Sequence, residues 1–467
     1  MPRKTLSIII TGLLLFFGEG QGQEVPPRGT VLFSTREFEA SRVHRWLFGR
    51  NWRREWATPV SVPEVLLDTL FGGLKPYQPS GGGESRSLRL RTADGHEWVL
   101  RSVTKTRSAL LPPLLRRSPY GALVQDGVSM SHPYAALALP QMLRAAAIPH
   151  TEPRLVFLPR QVALDTFNAA YADNVYLLEE RAAGNWTDAP HLGGYKNYLA
   201  TIEVKELLRH DNTYKPDQHA YLRARLFDIL ISDVDRHEGN WRWGVADTGT
   251  FRYLPVPVDR DQAFFLFDGL LSKLSLAATR RRLMQPFTYR VRNVATLTSH
   301  DQMLDRYFAN EMTAADWNTA ARELQEALTD DVIARAVAEL PANVYGLSGA
   351  DIVNKLQHRR SFLPDFAARL FAAMARKVEI NGSEMPERFE VRMQPDGNVH
   401  VSVYRAAAAG SAAAMPFYQR TFSKAETKQI TLYGFGGADE FSVDEKARGI
   451  RIKIVKGINE AQLKPAS

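Results

Sequence analysis

The sequence predicts an α+β protein in two lobes, a small β-rich lobe followed by a larger helical one, with an all-β module at its C-terminal end. Three observations point there. Residues 61–105 read as β-structure, in which the run Ser85 to Leu90 alternates and leads to a turn at Asp94-Gly95, a pair that favours tight hairpins because both residues tolerate positive φ. From about residue 197 the apolar positions follow the 3.6-residue period of helices, most clearly over Tyr221 to Ser232, where Leu222, Leu226, Ile229 and Leu230 share one face. Past about residue 380 alternation returns on either side of Gln394-Pro395-Asp396-Gly397-Asn398, a second hairpin signal.

In chain order, residues 1–23 read as a cleavable signal peptide. Arg3 and Lys4 precede an apolar run from Leu6 to Phe17, and Gly20 and Gly22 supply the small residues that a signal peptidase requires. The run is shorter than the ~20 residues that span a bilayer. No later segment is apolar for long enough, so no transmembrane segment is expected in the mature chain. Residues 24–60 form an N-terminal arm rich in Arg and Trp. The small lobe is assigned to 61–180, with strands over Ser85–Leu90, His96–Val103, Arg154–Leu158 and Asn174–Glu180. It also holds a helix from Ala135 to Ala147, preceded by Pro133 and closed before Pro149. The helical lobe is assigned to 181–380, with helices over Ala314–Leu328, Asp330–Leu340 and Ser348–Arg376, the last broken near Pro364. The β module takes 381–467. Its strands are Phe389–Met393, Val399–Tyr404, Gln429–Tyr433, Glu440–Val443 and Gly449–Val455, and Ala406 to Ala414 is a low-complexity loop.

A chain of 467 residues exceeds the ~100–200 typical of one domain. It contains no cysteine, which excludes disulfides, thiolate metal centres and acylation at a lipobox cysteine. An exported protein without disulfides suits a bacterial envelope. The formal charge is +8, and basic residues crowd into Arg42 to Arg54 and Arg280-Arg281-Arg282. Such clusters fit an anionic partner, a phospholipid surface, nucleotide or phosphate, and equally a solvated basic face. No nucleic-acid-binding motif is present, so no nucleic-acid partner is expected.

The chemistry lies between residues 221 and 264. A buried helix ends at Ser232, and the polar loop Asp233-Val234-Asp235-Arg236-His237-Glu238-Gly239-Asn240-Trp241 follows. A hairpin turning at Asp247-Thr248-Gly249 then leads to Pro257-Val258-Asp259-Arg260-Asp261-Gln262-Ala263-Phe264. Phosphoryl transfer from ATP needs one carboxylate to orient the attacking hydroxyl and take its proton. It also needs an amide oxygen and a second carboxylate to hold magnesium on the phosphates. In protein kinases the catalytic Asp and the metal-binding Asn stand five positions apart, as do Asp235 and Asn240. Asp259 arrives after a hairpin, as the second metal ligand must. Taken singly, each acid reads as a cap or a surface pair; order and spacing make the set.

Asp235-Arg236-His237 with Asn240 resembles the Asp-Arg-His loop of phosphatidylinositol kinases, HipA-type kinases and the secreted kinases of the Golgi lumen. Asp259 to Phe264 resembles the metal-binding segment of those Golgi kinases and of the spore-coat protein H kinases. Over roughly residues 60–340 the chain is similar to the kinase-like region of large exported bacterial envelope proteins. The resemblance implies a two-lobed protein-kinase-like fold that takes ATP or another nucleotide with Mg²⁺ or Mn²⁺. It makes Asp235 the base or orienter, Asn240 and Asp259 metal ligands, and Asp261 the ligand of a second metal. Carried to the small lobe, it makes Gly81-Gly82-Gly83 the phosphate-covering loop. Arg101 takes the place of the phosphate-binding lysine, with Lys105 as the alternative, although arginine's fixed charge and planar fork make it a different donor. Asp126 becomes the acidic partner of that cation, and Glu179-Glu180 the hinge beside adenine.

The expected function is therefore an exported, ATP-dependent phosphotransferase of the bacterial periplasm or cell envelope. Its acceptor would be a protein or envelope component, with a partner at the outer membrane. A catalytically silent scaffold of the same fold, binding an envelope partner, is the other class that fits. Arg101 at the lysine position favours the scaffold; the intact Asp235, Asn240 and Asp259 favour catalysis. Asp235-x-His237 also opens metallophosphoesterase sites, but the further Asn-His pair that those need is missing, since Trp241 follows Asn240. Gly436-Gly437-Ala438-Asp439-Glu440-Phe441 imitates a cyclase signature, with Ala438 breaking its spacing, and reads as a β-turn.

Overall fold

A computed structural model describes residues 29–81, 84–212, 214–246, 251–271, 285–294, 302–406, 415–444 and 449–457. Residues 1–23, read from sequence as a signal peptide, Gly82, Gly83, the expected turn at Asp247-Thr248-Gly249, Arg280 to Arg282 and residues 407–414 lie outside that set. The chain is α+β: a β-rich small lobe, a helical lobe and C-terminal β sheets.

Residues 30–63 form strands β1 (Thr30–Phe33) and β2 (Val60–Pro63), paired antiparallel, with the helices Arg42–Phe48 and Arg53–Ala57 between them. This N-terminal segment is built into the protein. Phe38, Trp52 and Trp56 belong to the main core. Both indoles are anchored, Trp52 Nε1 donating to the Phe264 carbonyl at 2.8 Å and Trp56 Nε1 to the Ser131 carbonyl at 3.0 Å.

The small lobe is a five-stranded sheet of β3 (Lys75–Ser80), β4 (Ser85–Arg91), β5 (Glu97–Lys105), β6 (Arg154–Leu158) and β7 (Asn174–Glu180) in the order β3-β4-β5-β7-β6. Every neighbouring pair is antiparallel. Alternation decides its inner face: Leu88 opposes Leu100 and Leu90 opposes Trp98, and all four are buried with Tyr176 and Leu178 in a second core. The β4–β5 turn holds Gly95 at φ +98, which favours a residue without a Cβ. The helix expected over Ala135–Ala147 is instead a 3-10 turn, Ala135–Ala138, followed by a short helix, Pro140–Ala145. Pro140 lacks an N–H and cannot continue a helix, so it starts a new one.

The helical lobe surrounds Gln218–Ile231, which is buried on nearly every side. Asp217 caps it by accepting the Ala220 N–H at 2.9 Å, and Ser232 ends it in the left-handed region at φ 51. Packed on it are Ala314–Ala327, Ala350–Ser361 and Leu363–Ala375, and Asp330–Ala338 packs in turn on Ala350–Ser361 and Pro140–Ala145. Ala314–Ala327 opens with a reciprocal cap between Thr313 and Asp316, and Pro364 in the first turn of Leu363–Ala375 separates it from its predecessor. The lobe also carries a four-stranded sheet in the order β8 (Tyr198–Ala200), β10 (Trp241–Val245), β11 (Phe251–Pro257) and β9 (Lys215–Pro216).

A single residue, Arg376, separates the helix Leu363–Ala375 from the first strand of the C-terminal module. Strands β12 (Lys377–Asn381), β16 (Gln429–Gly434) and β18 (Arg451–Lys456) form a parallel sheet. The second sheet joins β15 (Tyr418–Phe422), β14 (Val399–Arg405), β13 (Glu387–Met393) and β17 (Glu440–Val443). The two sheets share a core of their own. Gly436 and Gly437 lie in the connection from β16 to β17, with Gly437 at φ +72. The module docks on the helical lobe, where the Asn310 carbonyl accepts from Arg420 at 2.6 Å and from the Tyr418 hydroxyl at 3.2 Å. Among the described residues no helix is long and apolar enough to cross a membrane.

Candidate active site between the two lobes

The site is built from the buried end of Gln218–Ile231 upward. Asp228, 1% exposed, holds three guanidinium groups at 3.1–3.2 Å: Arg225 from its own helix, Arg236 from the following loop and Arg260 from the segment after β11. Burial opposes ionisation of Asp228, yet the three arginines keep its carboxyl below the ordinary value. Arg236 ties the loop together, with Nη2 on Asp233 at 2.8 Å and Nη1 on the carbonyls of Asn240 at 2.9 Å and Val258 at 2.5 Å. Burial and the neighbouring Asp228 push the Asp233 carboxyl up to about 6, against the pull of Arg236. The loop carrying Asp235 and the segment carrying Asp259 are thus clamped to one helix by a buried charge network.

On that base the structure brings Asp235, Asn240, Asp259 and Asp261 together. Asp235 reaches solvent, but the protein packed around it withdraws enough water to push its carboxyl up. The charges of Asp261 and Asp259 add to that rise, and His237 and Lys105 oppose it. The Asn240 amide nitrogen donates to the Asp235 carbonyl at 2.6 Å, leaving the amide oxygen as the end able to take a cation. Asp259 sits in the left-handed region at φ 57, a conformation that costs a non-glycine residue about 1–3 kcal/mol and clusters at functional sites. One of its oxygens pairs with Arg101 Nη1 at 3.0 Å; the other, Oδ1, is buried without a hydrogen-bond partner. A buried carboxylate oxygen left in that state favours a cation beside it. Among the described residues no three His, Asp or Glu side chains form a self-contained metal cage. Asp259 and Asn240 fit the other arrangement, in which magnesium takes one or two protein ligands and completes its shell with phosphate and water.

The remaining residues singled out from sequence fall into several groups. Arg101 pairs with Glu179 at 2.6 Å as well as with Asp259; burial lowers its pKa, but the two carboxylates more than compensate and raise it. Lys105 pairs with Asp261 at 2.6 Å, and Gln262 donates to the other Asp261 oxygen at 3.2 Å. The second-metal expectation for Asp261 therefore meets a carboxylate already engaged at both oxygens. Burial raises its pKa, yet Lys105 and Arg101 hold it below the ordinary value. Asp126 is not the acidic partner of Arg101 or Lys105. It takes the buried fork of Arg53 at 2.5 and 2.7 Å and the His44 ring at 3.2 Å, and among the described residues that guanidinium pairs with no other carboxylate. Glu179 and Glu180 end β7 and line the cleft, but both carboxylates are engaged: Glu179 with Arg101 and the Thr151 hydroxyl, Glu180 with the Glu152 N–H and His191. Gly81, at φ +104, also lines the cleft. A Cβ there would approach the Ser85 carbonyl to 3.0 Å.

The cleft between the lobes has a volume of about 180 Å³. Besides residues already named, it is lined by Arg89, Arg181 and Arg242, which spacing alone does not reveal. Asp228, Arg225 and Arg260 also escape a motif-based reading. For Asp228 and Arg225 the signal is an acid and a base three residues apart on the buried part of one helix.

No protein-family model matches the chain, and no curated protein matches it. Among solved structures it is similar to the proinflammatory kinase CtkA of Helicobacter pylori, at 11% identity over 63% of this chain and 94% of that one, TM-score 0.34. It is also similar to the HipA, HipB and operator DNA complex of the Shewanella oneidensis MR-1 toxin–antitoxin system, at 10% identity over 67% and 76%, TM-score 0.30. A third likeness is to the amicoumacin kinase hAmiN in complex with AMP-PNP, Ca²⁺ and Ami, at 14% identity over 62% and 90%, TM-score 0.17. At such scores the residues of the cleft carry the functional reading by themselves.

Proposed function

We propose that this chain is a metal-dependent phosphotransferase that takes a phosphoryl group from a nucleotide such as ATP. The acceptor is a hydroxyl on a protein or envelope component outside the cytoplasm, a setting that rests on the signal-peptide reading of residues 1–23. The observation that carries the catalytic part is the unpartnered, buried Asp259 Oδ1 in the cleft that Asn240 also lines, with Asp235 on the same clamped loop. Asp259 and Asn240 would hold a magnesium or manganese ion, which when bound supplies positive charge to the donor's phosphates. Asp235 orients the acceptor hydroxyl and takes its proton as the oxygen bonds to phosphorus and the bond to the leaving oxygen breaks. Lys105 holds Asp261 away from that proton by pairing with it. Arg101, kept charged by Glu179, neutralises Asp259 in the absence of other cations and turns to phosphate oxygens when a donor enters.

Thermal-shift titration of the purified chain with Mg²⁺ or Mn²⁺, alone and with ATP, tests the binding half. Wild type is expected to be stabilised by the two together. Asp259→Asn withdraws a charge from the cation and is expected to weaken that response by about 10–100-fold in apparent affinity. A wild type that responds to neither metal would replace this reading with the silent scaffold.

A further inference from the structure

The cleft is more cationic than a base-binding slot requires. Arg89 on β4, Arg101 on β5, Arg181 just past β7 and Arg242 on β10 all line it, against Val99, Ala182 and Val258 as the apolar lining. Two of the four are neutralised, Arg101 by Glu179 and Asp259 and Arg181 by Glu97. The other two are not. Arg89 donates to the Gln78 side-chain oxygen at 2.8 Å, and Arg242 to the carbonyls of Gly239 at 3.1 Å and Trp241 at 2.8 Å. Among the described residues neither guanidinium forms an ion pair with a carboxylate. Glu203, on the helix Thr201–His210, is engaged in capping the Ala200 N–H.

Position along the strands separates Arg89 from the metal residues. Arg89 opposes Val99, and Val99 opposes Glu179, so Arg89 lies two residues from the Arg101 position toward the Glu179 end of the cleft. Two residues of strand amount to about 7 Å. On the facing lobe Arg242 follows Asn240 by two residues, with its guanidinium held on the Gly239 and Trp241 carbonyls at the edge of the cleft. A neutral base placed there would cover two guanidinium groups without compensating them, which is costly in a partly dehydrated cleft. An anion would compensate both, and arginine's fork matches phosphate oxygens.

We propose that the ligand of this cleft carries a phosphate group beyond those held at Asp259 and Asn240, and that Arg89 and Arg242 clamp it from the two lobes. The proposal rests on the phosphotransferase reading for the identity of the other end of the ligand. Two sources share this chemistry, a condensed phosphate chain without a base and a nucleotide phosphorylated on its ribose.

The test is calorimetric titration of the full chain in Mg²⁺ with three probes: ADP, adenosine 3′-phosphate 5′-diphosphate and inorganic tripolyphosphate. At least one of the last two is expected to bind about tenfold or more tighter than ADP, and the one that does identifies the source. Arg89→Gln and Arg242→Gln should each remove about 10-fold of that advantage, while Arg89→Lys, which keeps the charge, should retain most of it. Unchanged far-UV circular dichroism would show that the variants are folded. If ADP binds as tightly as both other probes, or if the variants weaken all three equally, the extra-phosphate site is wrong while phosphotransfer from ATP can still be observed. No binding of any probe also overturns it. If an Arg-dependent preference is found but no donor is turned over, the site stands and the catalytic reading falls.

Discussion

The residue with the widest reach is Asp228, whose carboxylate compensates Arg225, Arg236 and Arg260 inside the protein. Removing one partner of a buried ion network costs about 3–5 kcal/mol because the others remain buried and charged. Asp228→Asn is therefore expected to lower unfolding free energy by that amount in urea titration and to loosen the loops that carry Asp235 and Asp259. Asp235 gives a sign to the pH dependence. Its carboxyl is raised above the ordinary value and acts as a base when ionised, so turnover should fall as pH drops through that raised value. Lys105→Gln removes a charge that favours ionisation and frees the Asp261 charge that opposes it. Both effects move the acid limb of the pH–rate profile to higher pH, and an unchanged limb would remove Lys105 from the site. The positions of Asp235, Asn240 and Asp259 in one place were legible because a loop, a hairpin and a fixed separation are local features. The partner of Asp126 was not. Which carboxylate a guanidinium meets depends on packing between distant segments, here Arg53 across 73 positions of sequence.

Elements were legible where one period ran without interruption. The alternating strands of the small lobe and the amphipathic helices after residue 313 lie within a few residues of where their patterns place them. The Ala135–Ala147 region failed because a run rich in Ala and Leu satisfies helical propensity while Pro140 inside it forbids continuity. For Gln218–Ile231, the platform of the site, packing outweighs capping. Asp217→Ala removes the cap on Ala220 and should cost about 0.5–2 kcal/mol. Leu230→Ala, at a fully buried position, should cost about 2–5 kcal/mol. Paired urea titrations of the two variants check that order, and a larger loss for the cap would mean that the helix is less tightly packed than its burial indicates.

At the scale of the whole molecule, the three-part division follows from changes in period along the chain, but the way the parts join does not. The N-terminal segment enters the main core through Trp52 and Trp56, and the C-terminal module docks through Arg420 and Tyr418 on the Asn310 carbonyl; neither contact leaves a periodic trace. The cleft between the lobes is likewise a product of assembly, bringing Arg89 and Arg242 together from opposite sides. What such a cleft is for is tested most directly by phosphate transfer. The purified chain is incubated with Mg²⁺ or Mn²⁺ and a labelled donor, ATP or tripolyphosphate, and the label is followed onto protein, added envelope material or water. Wild type is expected to move the phosphoryl group. Asp235→Asn should keep donor binding and lose about 10²–10⁴-fold in rate, the contribution of a positioned general base. Transfer by Asp235→Asn at the wild-type rate, or none by wild type from any donor that binds, would contradict the account.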